Sequence, residues 1–173
     1  MKRILPFLFL LMLSSCSQTI YIVRHAEKAI PEAAASQMMI SDPPLSEPGH
    51  QRALQLKAEL EKENIRTIFS TNYMRTVSTA RPLSESGRST RIEMYAARID
   101  SMDAFIAKLK SIRKGNILVV GHSNTVDDLA NKICGSTVVA GDLKDTQYDN
   151  LFVIRRKGSR YQFTGKKYGA KTE

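Results

Sequence analysis

Four side chains, Arg24, His25, Arg75 and His122, stand where short apolar runs of the chain stop. Residues 21–23 (Tyr-Ile-Val) run straight into Arg24 and His25. Residues 67–70 lead through Thr71 and Asn72 into a helical segment whose first turn carries Arg75. Residues 116–120 end in Gly121-His122-Ser123-Asn124, again before a helical pattern. If these strands share one parallel sheet, the four side chains converge at its carboxyl edge, where open α/β sheets bind ligands. Two imidazoles, two guanidiniums and two helix N-termini would make a strongly positive anion site. A phosphoryl group suits it, because arginines bind its equatorial oxygens in bidentate fashion. Neutral imidazole is a nucleophile near pH 7, provided an acceptor holds its other ring nitrogen. The expected chemistry is attack by His25 on phosphorus, then hydrolysis of the phosphohistidine by water, with His122, if protonated among the phosphoryl oxygens, as a further donor. Taken singly, each residue also has a plainer reading: a structural histidine, a solvent-facing arginine.

The elements that must position these residues are legible from pattern. The β-branched and aromatic content of 21–23 and 67–70 predicts strands, and 91–95 is a third candidate. Residues 116–120 form a continuous apolar run, as in a strand covered on both faces. Ser46 and Pro48 predict a helix start, with Ala53, Leu56 and Leu60 on one stripe. A helix from about Asn72 should turn Val77 and Ala80 inward and bend or end at Pro82. Ser101 is expected to cap a helix with Met102, Phe105, Ile106, Leu109 and Ile112 on its core face, stopped by Gly115. Thr125 and Asp128 are spaced like a capping box before Val126, Leu129, Ala130 and Ile133. Residues 29–49, with four prolines, read as a long loop, and residues 150–156 and 161–166 as a terminal hairpin. Strands alternating with helices predict a single α/β domain of three layers, its mostly parallel sheet flanked by helices.

The amino terminus is of another kind. Lys2 and Arg3 precede a run from Ile4 to Leu13 that is apolar apart from Pro6, and Leu13-Ser14-Ser15-Cys16 follows. The run is too short to span a bilayer. It resembles a bacterial lipoprotein signal, which implies residues 1–15 as signal peptide, acylation of Cys16, residues 16–20 as tether and 21–173 as the domain. Such a protein is exported and lipid-anchored on a bacterial membrane. Residues 17–20, fully extended, reach about 14 Å and would hold the domain near the bilayer. Cys134 then has no disulfide partner and reads as a buried thiol. Removing Lys2 and Arg3 lowers 26 basic residues to 24 against 17 acids, still a net +7. Part of that excess lies in the tail from Arg155 to Lys171, and no nucleic-acid motif accompanies it, so a membrane surface is the expected anionic partner. A merely solvated basic face is the alternative. The three histidines, His25, His50 and His122, show no metal-ligand spacing.

"VRHAEK", "DPPLSEPG", "STNYMRTVSTA" and "VVGHSNT", in that order, resemble the successive signatures of the histidine phosphatase superfamily, from about Tyr21 to about Ile133. The resemblance implies a phosphoglycerate mutase-like fold, His25 as nucleophile, and Arg24, Arg75 and His122 as phosphate ligands. Thr71 matches a hydroxyl residue that often precedes the pocket arginine, and neither metal nor organic cofactor is expected. The implied activity is a phosphohydrolase acting on a phosphomonoester or a more labile phosphoryl compound. A phosphotransferase or mutase of the same fold is the alternative, as is a non-catalytic lipoprotein that binds phosphate or headgroups. Many members use a carboxylic acid to protonate the leaving group. Glu93 lies in roughly the right segment and is the candidate here, with Asp100, Asp103, Asp127 and Asp128 nearby in sequence. Alternation along 91–95 could equally leave Glu93 an exposed strand residue.

Overall fold

A computed structural model describes residues 18–30, 37–86 and 90–172. Its elements, in chain order, are β1 (Gln18–Arg24), α1 (Gln37–Ser41), α2 (Glu47–Leu60), β2 (Ile65–Ser70), α3 (Met74–Ser84), β3 (Ile92–Met94), α4 (Ile99–Ser111), β4 (Asn116–Gly121), α5 (Val126–Cys134), β5 (Asn150–Lys157) and β6 (Arg160–Lys167). The strands form one six-stranded sheet in the order β3-β2-β4-β1-β5-β6. The first four are mutually parallel, and β5 and β6 are antiparallel additions at one side.

The period-2 alternation of each central strand explains the layering. Ile20 and Ile22, Phe69, Ile117 and Val119, and Phe152 and Ile154 face one way, into a core shared with Leu109 of α4 and Leu129 of α5. Their neighbours Tyr21 and Val23, Ile68, Leu118 and Val120, and Leu151 and Val153 face the other way, toward Leu56 of α2 and Ala80 of α3. Every residue of β1 is buried. Each fully buried Leu or Ile contributes about 1.5–3 kcal/mol, so the two faces of β1 and β4 anchor the domain. The three-layer α/β architecture expected from the sequence is the one observed.

Local departures have local causes. β1 begins at Gln18, three residues before the expected strand, because Gln18, Thr19 and Ile20 pair with Arg156, Arg155 and Ile154 of β5. Residues 18–20 are therefore sheet and not tether. The signal-peptide and lipidation readings, Cys16 included, lie outside the described residues. The loop expected over 29–49 contains α1. Ser46 caps α2 as predicted, accepting from Gly49 N at 3.3 Å. Helix α4 starts at Ile99 with Arg98 as its N-cap, so Ser101 lies inside the first turn. In α3, Thr76 and Thr79 are buried while Val77 is half-buried, and Pro82 sits in the last turn. Cys134 is half-buried at the end of α5, where Gly135 adopts the left-handed cap conformation. Among the described residues, no helix is long and apolar enough to cross a membrane.

Candidate active site

The carboxyl ends of β1, β2 and β4 open into one cleft of about 690 Å³. Arg24, His25, Arg75 and His122 all line it. The register makes this convergence unavoidable: Arg24 pairs with Gly121, Ser70 with Val120, and His25 N donates to Gly121 O at 2.9 Å. Gly121 must lack a side chain, since a Cβ there would lie 2.8 Å from the Tyr95 hydroxyl and 3.1 Å from Thr125 Oγ1.

His25 is 4% exposed. Its Nδ1 lies 2.7 Å from Ala26 O. A carbonyl only accepts, so Nδ1 carries the proton and Nε2 the lone pair. The Ala26 peptide is itself fixed, because its N–H donates to Thr79 Oγ1 at 2.9 Å, and Thr79 Oγ1 donates to Arg75 O at 2.7 Å. Beyond it, the "DPPLSEPG" stretch runs across "RHAEK". Ala29 N donates to Pro44 O, Ser46 N donates to Glu27 O, and a Cβ on Gly49 would come within 2.1 Å of Glu27 O. Glu27 holds the buried Arg52 at 2.7 Å, which ties the segment to α2. Close backbone packing is thus what joins these two motifs.

Arg75 lies in the first turn of α3 and is clamped from two sides. Its Nη1 donates to Asp42 Oδ1 at 3.0 Å, and its guanidinium sits 4.4 Å from the Tyr73 ring centroid. The other oxygen of Asp42 accepts from Met74 N at 2.8 Å, capping a helix whose own N-cap, Tyr73, provides no side-chain bond. Arg24 is buried, stacked 4.1 Å from the Tyr148 ring, with Nη1 donating to Lys144 O at 2.8 Å and Asp145 O at 3.1 Å. The Nε–H of Arg24 and that of Arg75 are both buried with no protein acceptor. Two uncompensated guanidinium donors on arginines that line the same cleft as a nucleophilic imidazole are what an anion would satisfy.

His122 packs against His25 with ring centroids 5.5 Å apart and against Tyr73 at 5.0 Å. Its Nε2 lies 2.9 Å from Thr71 Oγ1. The Thr76 hydroxyl faces the carbonyls of Thr71 and Tyr73, both at 2.9 Å, and so donates. It then accepts from Thr71 Oγ1 at 3.0 Å, which leaves that oxygen to accept from His122 Nε2–H. Neutral His122 therefore keeps its lone pair on Nδ1. Thr71 lines the cleft, but its hydroxyl is committed to His122 and Thr76, a positioning contact and not the expected phosphate contact. Thr125 is likewise turned from its expected capping role, bonded to the backbone of His122 on both sides.

Burial pushes the His25 imidazole down to about 3 and His122 down to about 4, and the neighbouring arginines add to both effects. His122 is thus neutral at pH 7. Both values lie below the ordinary 6.5, so the folded state binds fewer protons than the unfolded chain in this range. Their contribution to stability is complete above about pH 6.5 and is lost as pH falls toward 4 and then 3. Urea midpoints should fall between pH 7 and pH 5, and the double variant His25→Gln, His122→Gln should show a flatter slope.

Glu93 does not enter the cleft. β3 has three residues, and alternation sends Ile92 toward the α2–α3 core and Glu93 to the opposite face, where Lys108 of α4 binds it at 2.8 Å. The cleft wall begins only past the strand end, at Tyr95. Among the described residues Asp145 is the one carboxylate in the lining; it is 96% exposed and 3.4 Å from Arg24. Asp100 and Asp128 line an adjoining cavity that shares Ala97, Arg98, Asn124 and Thr125 with the cleft. Asp103 pairs with Lys132, and Asp127 is buried in the first turn of α5, its carboxyl pushed up by burial. Asp42, Thr79 and Tyr148 escaped the sequence reading; Asp42 and Thr79 had a signal, each lying inside a recognised motif, and Tyr148 had none. Among the described residues, no three His, Cys, Asp or Glu side chains gather as a metal site.

The model for the histidine phosphatase superfamily (branch 1) matches residues 20–97. No curated protein sequence matches the chain. Among solved structures, the α-ribazole phosphatase of Shigella flexneri is 15% identical with a TM-score of 0.65, covering 85% of this chain and 95% of its own. SixA of Agrobacterium tumefaciens, a candidate phosphohistidine phosphatase, is 18% identical with a TM-score of 0.61, covering 89% and 99%. The phosphoglycerate mutase of Bacillus anthracis strain Sterne is 15% identical with a TM-score of 0.55, covering 88% and 93%. At such identities the likeness is one of fold. Residues 20–97 therefore carry the sequence pattern of the histidine phosphatase superfamily, and the described chain as a whole has the phosphoglycerate mutase-like fold.

Proposed function

We propose that the protein is a metal-independent phosphohydrolase of this superfamily that works through a phosphohistidine on His25. The observation that carries the reading is the fixed tautomer of His25, whose bare Nε2 shares a cleft with two arginines that each hold a buried, unpaired Nε–H. In the first step Nε2 forms a bond to phosphorus while the bond to the leaving group breaks, and the leaving group takes that electron pair. In the second, water attacks phosphorus, the N–P bond breaks, and phosphate departs. Arg24 and Arg75 stabilise the charge on the transferring oxygens in both steps. A phosphoryl dianion beside His122 favours its protonation at Nδ1, which makes it a donor as the phosphoryl group arrives. Because burial and the arginines keep His25 neutral well below pH 6.5, the nucleophile stays competent in mild acid.

The displaced Glu93 bears on substrate. Among the described residues no buried carboxylic acid lines the cleft, so the favoured leaving groups are those that need no proton from the enzyme: an acyl phosphate, a pyrophosphate, or a phosphoramidate already protonated on nitrogen. The experiment compares a phosphoramidate, para-nitrophenyl phosphate and glycerol phosphate in the presence of chelator. Turnover should fall steeply as the leaving group becomes more basic, and Glu93→Gln should change kcat by less than about twofold on all three. Loss of activity with chelator would refute the mechanism. A drop of about 100-fold on glycerol phosphate alone in Glu93→Gln would restore Glu93 as the general acid.

The same missing acid supports a second reading, a lipoprotein that binds a phosphoryl group without turning it over. Tight vanadate binding with no turnover of the phosphoramidate would favour it. The amino-terminal pattern supports an exported protein acylated at Cys16, which incorporation of labelled fatty acid, lost in Cys16→Ser, would test.

A further inference from the structure

The cleft occupies the carboxyl ends of the parallel strands, and the opposite pole of the sheet is basic. Arg66 is the second residue of β2, Arg113 and Lys114 precede β4, Arg155 and Lys157 end β5, and Arg160 opens β6; all six are exposed. None of the six is in an ion pair among the described residues. The antiparallel pairing of β5 with β1 brings them together, because Thr19 lies opposite Arg155 and Gln18 opposite Arg156. Cross-links make the pole one surface. Gln18 Nε2 donates to Gly115 O at 3.0 Å, Arg156 Nη1 donates to Lys110 O at 3.1 Å, and the Arg66 side chain packs on Gly115. Glu61 and Glu63 are acids at the same end, and Glu63 accepts from the Tyr21 hydroxyl at 2.6 Å.

We propose that this pole docks on an anionic lipid surface and turns the cleft away from it. Two observations favour lipid over nucleic acid. The cations sit on strand ends and turns, and the neighbouring aromatic, Tyr161, is half-buried with Lys110 and Arg156 against its ring, unavailable to stack on a base. The chain before Gln18, which holds Lys2, Arg3 and the apolar run 4–13, also joins the domain at this pole. A membrane-associated leader of any kind would bring the pole's charges within a Debye length of the headgroups, where each Lys or Arg adds to the attraction. The seven residues of β1 separate the pole from His25 by about 23 Å at 3.3 Å per residue. The cleft then samples soluble phosphoryl compounds rather than the headgroups beneath the domain.

The test uses the full chain carrying Cys16→Ser, which cannot be acylated, and leaves the leader as a constant background. Vesicles of phosphatidylcholine alone are compared with vesicles containing phosphatidylglycerol at about one lipid in three. At low salt the anionic vesicles should bind at least about tenfold more protein, and the preference should vanish near 0.5 M salt. Arg155→Glu, Lys157→Glu and Arg160→Glu together should abolish it. An equal charge change away from the pole, Arg81→Glu, Lys166→Glu and Lys171→Glu, should largely preserve it. Turnover of para-nitrophenyl phosphate is followed in both triple variants, so a failure of docking is separable from a failure of the catalytic reading. Equal binding to both vesicle types, or equal loss in both triple variants, would overturn the proposal. So would binding of a single-stranded oligonucleotide through the same cations in the absence of any lipid preference.

Discussion

His25→Ala should reduce kcat/KM for para-nitrophenyl phosphate by a factor on the order of 10⁴ or more, with the protein still folded. The argument is one of mechanism and not of lost packing. Removing the nucleophile deletes the proposed covalent route: His122 Nε2 is tied to Thr71 at 2.9 Å, and His50 lies on α2, outside the cleft lining. Stability should move little or even rise near pH 5, because the variant no longer buries an imidazole that the unfolded chain would protonate. Rapid quench with labelled substrate should trap a phosphoenzyme that is labile to acid and stable to alkali in the wild type and absent in the variant. Full turnover in His25→Ala, or a phosphoenzyme with the opposite lability, would assign the chemistry to another residue.

Arg75→Ala should lower kcat by about 10²–10³-fold, the range expected when one preorganised donor to a transferring oxyanion is lost. Arg75→Lys should recover only part of it, because an ammonium cannot reproduce the planar fork of donors. The geometry adds a signature. Asp42 holds Arg75 through one oxygen and caps α3 through the other, so Arg75→Ala leaves the capping bond to Met74 in place. Asp42→Asn should therefore give a milder loss of activity, within about tenfold, with KM and kcat both moved by a looser arginine. An Arg75→Ala effect confined to KM would mean that the arginine binds ground state and transition state equally, against the proposed role.

How much of this was legible from the chain follows from the range of the forces involved. Short runs of apolar, β-branched and aromatic residues in 21–23 and 116–120 are a local property, and they marked these strands, the second as one covered on both faces, before any tertiary contact was known. Signatures ending three strands placed Arg24, His25, Arg75 and His122 at one sheet edge, because parallel strands put their carboxyl ends together. Side-chain commitments were not legible. Whether Glu93 faces the cleft or Lys108 depends on the phase of a three-residue strand, and a one-residue change in phase reverses the answer. The neutral state of His122 follows from burial and from Arg75 of α3 and Arg24 of β1, which no local pattern encodes.

The sequence by itself determined the class of fold, the four residues at the strand ends and the excess of basic charge. Only the tertiary structure decided which nitrogen of His25 is free, what fastens Arg75, and where that basic charge gathers. Strand identity is written in neighbours two residues apart. The clamp on Arg75 and the charged pole arise between groups tens of residues apart, and the His25 tautomer rests on an Ala26 peptide that Thr79, far along the chain, holds in place.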